Sequence, residues 1–89
     1  MKYVILQVTQ GTLKRELPVI FPDCVCHDDM ALWFGEALTD LKADKIKAVS
    51  AGFCTLRVNT SGSSETLGLK SRPEDDQIIN MFDYYHGIR

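Results

Sequence analysis

Three cysteines and two histidines carry much of the chemical potential of this 89-residue chain. Cys24, Cys26 and His27 fall within four positions, and Cys54 offers a fourth ligand of the kind zinc prefers. In an extended segment the Cys24 and Cys26 thiols share a face, so chelation is open to them. Structural zinc sites, however, usually separate paired cysteines by two to four residues, and only Val25 stands between these two. The competing reading is three reduced, partly buried thiols. His27 also precedes Asp28 and Asp29, and an imidazole oriented by a carboxylate is a general acid–base pair. The same two acids are equally explained as favourable charges at the start of a helix. His86, near the end of a second helical pattern, suits the negative end of that helix.

Serine supplies a second set of candidates. Ser61-Gly62-Ser63-Ser64 lacks the spacing of a nucleophile elbow, and no His–Asp pair is placed to serve it, so a surface loop is the simpler reading. Ser71 and Arg72 stand where a helix opens, and free amides there attract anions, with Ser63 within reach if the loop folds back. Glu74, Asp75 and Asp76 crowd the same end with negative charge and oppose that use. Tyr84 falls off the apolar stripe of its helix, and an exposed tyrosine suits a protein interface. Binding residues are therefore assigned to Tyr84, Arg72 and Ser63, with no catalytic residue, metal or cofactor. Asn59-Thr60-Ser61 matches a glycosylation acceptor, which is read as chance without an export route.

These groups hang on elements whose pattern is legible. Lys2 to Val8 is rich in Val, Ile, Leu and Tyr with no breaker and reads as a buried strand. Gly11 lies in the turn that follows, and beyond it Leu13, Leu17, Val19 and Phe21 alternate with Lys14, Glu16 and Pro18. The two make a hairpin, with the second strand at an edge because Pro18 cannot donate to a ladder. Met30, Trp33, Phe34, Ala37, Leu38 and Leu41 recur at helical spacing and predict an amphipathic helix whose aromatics face the core, with Lys42 and Lys45 at its C-terminal end. Gly35 within it predicts close packing against the sheet.

From Ile46 to Val58 the chain returns to β character, with Ala51-Gly52 either a turn or a bulge, and Glu65 to Leu69 predicts a short final strand. Ser71-Arg72-Pro73-Glu74 reads as a capping box opening a last helix, with Ile78, Met81, Phe82 and Tyr85 as its apolar stripe and Gly87 as its stop. The predicted order is β-β-α-β-β-(β)-α. The expectation is a single α+β domain over residues 1–89, an antiparallel sheet of four or five strands with both helices on one face.

Composition removes several function classes. Hydrophobic residues at 45% and charged residues at 25% are those of a globular chain. Twelve acids against ten bases give −2, and the bases are dispersed, so nucleic acid is not an expected partner. No apolar run approaches the length of a membrane helix, and Gln7 interrupts the N-terminal apolar stretch before a signal-like core is complete. A cytoplasmic protein is expected.

Ser50-Ala51-Gly52, the stretch from Gly62 to Asp75, and Ile20-Phe21-Pro22-Asp23 with His27 resemble small uncharacterised proteins encoded by bacteriophages and prophages. That resemblance implies a bacterial cytoplasm and an accessory protein that binds a host or defence factor; it implies no catalytic residues. The expected function is thus a non-enzymatic interaction protein with a bacterial protein partner, and homodimerisation through a sheet edge is a further expectation. The alternative is a small-ligand or metal-binding domain using Cys24, Cys26, His27 and Cys54.

Overall fold

The computed structural model describes residues 1–39, 44–55 and 59–86, and for 38, 39 and 82–86 the backbone alone. Strands β1 (Lys2–Gln10) and β2 (Leu13–Phe21) form the expected hairpin, in unbroken register from Lys2 opposite Phe21 to Gln10 opposite Leu13. Gly11, the first of two loop residues, has φ +61°, as the mirror-image turns of tight hairpins require. Helix α1 (His27–Thr39) follows, then β3 (Lys45–Cys54), β4 (Thr60–Ser61), β5 (Ser63–Ser64), β6 (Leu69–Lys70) and α2 (Asp75–His86). The main sheet is antiparallel in the order β2-β1-β3-β4, and β5 pairs with β6 alone. The fold is α+β, and β2 is an edge strand as Pro18 predicts. No helix among the described residues is long and apolar enough to cross a membrane.

The helices do not share a face. Val4, Leu6 and Val8 of β1 pack with Val19, Phe21 and Ala51, and Met30 and Ala31 of α1 cover that layer. Tyr3 and Ile5 point the other way, where Cys54 joins them and Ile78 and Ile79 of α2 close the layer. Successive strand residues face opposite sides, so α1 and α2 sandwich the sheet. The reason is in β1 itself: a strand apolar at consecutive positions needs cover on both faces, and one helical layer leaves half of it in water.

Strand β3 carries the irregularity. Ala51 and Gly52 are neither turn nor bulge but ordinary ladder residues opposite Val4 and Tyr3. The register slips two residues earlier: Ile5 faces Ser50 and Leu6 faces Ala48, leaving Val49 as the extra residue. This bulge keeps Ala51, Ala48 and Ile46 all with the α1 layer despite their uneven spacing, and it turns Ser50 towards α2. Gly52 is required for another reason, because a Cβ there would run into the backbone oxygen of Ser61 on β4. Glu65 to Gly68 is a turn, with Gly68 at φ +66°, and the last strand is Leu69–Lys70. Lys45 opens β3 instead of ending α1.

The capping box is displaced by one residue. The Ser71 amide donates to Gly62 O at 3.0 Å, so it is not free to be bonded by Glu74. The Arg72 amide instead donates to Asp75 Oδ2 at 2.9 Å, which makes Asp75 the carboxylate that reaches back over the helix start. Within α2, Ile79 is the buried anchor and Met81 is exposed, a phase shift from the expected stripe. The expected roles of Leu41, Lys42, Leu56, Val58 and Gly87, and of the Leu38, Phe82, Tyr84, Tyr85 and His86 side chains, lie outside the described residues.

Candidate functional site

Arg72 is held inside the fold by carboxylates. Its Nη2 donates to Glu16 Oε1 at 2.8 Å and its Nε to Asp75 Oδ1 at 3.0 Å, while Glu74 stands 3.7 Å away. Asp75 is fully buried and also accepts from Tyr3 Oη at 2.5 Å and from Ser50 Oγ at 3.0 Å. A guanidinium so surrounded is stabilised in its charged form, chiefly by its hydrogen bond to Glu16, and its pKa is raised. Burial, reinforced by Asp75, drives the Tyr3 phenol well above its ordinary value. The cluster locks α2 to β1, β2 and β3. It accounts for Arg72 without a bound anion.

Ser63 is exposed on β5, beside a cleft of about 460 Å³ that it lines with Lys2, Cys26, His27, Phe53 and its neighbours at 62 and 64–66. The backbone of Tyr84 lies in α2, far along the chain from that cleft, and its side chain is not among those described. Arg72 belongs to the α2 face and the cleft to the α1 side of the sheet, so these sequence candidates do not assemble one site.

The cysteine and histidine set separates as well. Cys54 is buried with Tyr3, Ile5 and Ile79 on the α2 face, and burial raises its thiol pKa. His27 is buried on the α1 face, edge-on to Phe21 and Phe53 with ring centroids 5.5 and 5.8 Å away. Its Nε2 donates to Gly52 O at 2.9 Å, since a carbonyl can only accept. Cys24 is exposed in the turn before α1. Among the described residues the ligand atoms that do converge are those of Cys26, Asp28 and Asp29, within 4.8 Å of one another and exposed. They sit at the positive end of α1, where Asp28 Oδ1 already accepts the Asp29 amide, an arrangement that favours anionic side chains and opposes a cation. The four-residue metal set is therefore not formed.

The cleft's polar groups are largely committed. Lys2 Nζ donates to Val25 O at 3.0 Å, Ser64 Oγ and Thr66 Oγ1 lie 3.2 Å apart, and the Leu67 amide donates to Ser64 Oγ at 3.3 Å. They hold the β5–β6 hairpin and the chain entering α1 in place.

The outer side of α1 is different. Leu32 is 59% exposed and Trp33 56%, with Phe34 at 39% on the flank. The expected core role of Trp33 and Phe34 thus fails. Ala31 and Gly35 face the sheet with His27 and Met30, and a Cβ on Gly35 would meet Ile46 at 4.0 Å. Asp29, Leu32, Trp33 and Glu36 are all exposed and stand at i, i+3, i+4 and i+7, so they form one outward stripe. Nothing in the sequence separated this stripe from the core stripe, because Met30 to Phe34 are five consecutive apolar residues that wrap the whole helix. Comparison with family models, curated proteins and solved structures finds no match to the chain.

Proposed function

We propose that this protein is a non-enzymatic interaction module that binds a protein partner through the outer side of α1. The observation that carries this reading is the exposure of Leu32 and the lone tryptophan, Trp33, side by side on a helix that docks on the sheet through His27, Met30, Ala31 and Gly35. Tryptophan dominates the energetics of protein interfaces, and a paired leucine enlarges the apolar patch around it. His27, Arg72, Cys54 and the Ser64–Thr66 hydroxyl pair are occupied in holding the fold, which supports binding over catalysis. The edge strand β2 is a weaker candidate, because Lys14, Arg15 and Pro18 are residues that blunt edge pairing. The resemblance to small phage and prophage proteins is the ground for taking that partner to be a host or defence protein of a bacterium.

The test is affinity capture from bacterial lysate with the wild-type chain and with Trp33→Gln and Leu32→Gln. A partner held by the wild type and released by both substitutions, with circular dichroism unchanged, is the expected result. Retention of that partner by both variants removes α1 from the interface.

A further inference from the structure

The outward stripe of α1 is apolar at its centre and acidic at both ends. Asp29 lies one turn before the Leu32–Trp33 pair and Glu36 one turn after it, about 10 Å apart along the helix axis at 1.5 Å per residue. Asp28 adds a further exposed acid at the first turn, and the helix contains no lysine or arginine. From this charge pattern we infer that the partner presents an apolar slot flanked by lysine or arginine side chains two helical turns apart. The inference rests on the interaction reading above and names the chemistry of the partner.

A second copy of the chain fits this face poorly. Two stripes packed antiparallel bring Asp29 against Glu36, and packed parallel they bring Asp29 against Asp29. Either arrangement opposes like charges at both ends of the contact. A basic partner reverses the sign at both ends and leaves the apolar pair to fill the slot. The carboxylates then lie on the rim, where they steer encounter and set register, while Leu32 and Trp33 supply the buried area.

The probe is a synthetic helical peptide built on Lys-Ala-Ala-Leu-Leu-Ala-Ala-Lys, titrated against the full chain. A second peptide replaces lysine by glutamate, and a third replaces leucine by alanine. Trp33 is the only tryptophan and reports the contact directly by its fluorescence. The lysine–leucine peptide is expected to shift the Trp33 emission to the blue. Its affinity is expected to fall about tenfold from 50 to 300 mM salt. The double substitution Asp29→Asn, Glu36→Gln, with circular dichroism unchanged, is expected to weaken it about tenfold and to flatten the salt dependence. Equal binding of the glutamate peptide overturns the charge assignment and leaves an apolar docking face standing. No shift with any of the three peptides, together with partner capture insensitive to Trp33→Gln, overturns both readings. A blue shift that grows with protein concentration alone, matched by dimers in sedimentation, assigns the face to a second copy and overturns the basic partner.

Discussion

Asp75 is the residue on which the α2 side of the molecule turns. A fully buried carboxylate is tolerated only when its oxygens are satisfied, and here Tyr3, Ser50 and both the amide and the guanidinium of Arg72 donate to it. Its partners come from β1, β3 and the segment preceding α2, so one side chain sets the position of the helix over the sheet. Replacing it with asparagine removes the charge and turns one acceptor into a donor facing donors. Asp75→Asn is therefore expected to cost about 3 kcal/mol, by analogy with other broken buried pairs. A urea midpoint within experimental error of wild type would show that the cluster is decorative. The sequence showed Asp75 only as one of three acids near a helix start. The signal for more was indirect: a tyrosine within a buried apolar strand needs a partner for its hydroxyl, and Tyr3 is such a residue.

At the scale of elements, the two helices are used differently. Helix α2 buries Ile79 and is anchored by charge, whereas α1 lies on the sheet through Met30, Ala31 and Gly35 and turns its largest side chains outward. Its truncations should behave accordingly. Leu32→Gln and Trp33→Gln are expected to change stability by no more than about 1 kcal/mol, while Ile79→Ala costs roughly 2–5 kcal/mol. Thermal or urea unfolding of the three variants decides it, and a large loss at Trp33 would return that side chain to the core. Both helices were legible as helices, from Asp28-Asp29 at the start of one and Pro73 with its acids at the start of the other. Their rotation was not. A run such as Met30 to Phe34 leaves the hydrophobic phase undetermined, and α2 offers Ile78, Ile79, Met81 and Phe82 as competing choices.

For the whole molecule, two buried neutral groups set the alkaline limit of stability. The Cys54 thiol, raised by burial from 9.0, and the Tyr3 phenol, raised from 10.0 by burial and by Asp75, both keep their protons in the folded state after the unfolded chain has released them. Their contribution is complete below the unfolded values and is lost as pH rises past them. Stability is expected to begin falling near pH 9 and to fall more steeply above pH 10, each group adding up to about 1.4 kcal/mol per pH unit. Urea midpoints between pH 8 and 11 measure this, and Tyr3→Phe should remove the steeper limb. A flat profile to pH 11 would contradict the burial of both groups.

From the residues alone came the α+β class, the β1–β2 hairpin with Gly11 at its turn, the edge position of β2 and the approximate order of elements. Those features depend on local pattern: strand alternation, turn chemistry and helix start signals act over a few residues. Tertiary packing decided the rest. Which face each helix covers, where β3 slips its register, why Gly52 has no side chain and which carboxylate is buried all depend on atoms far apart in the chain meeting in space. The outward turn of Trp33 belongs with them, because a side chain apolar enough for a core is equally suited to an interface, and only the position of the sheet beneath α1 chooses between the two.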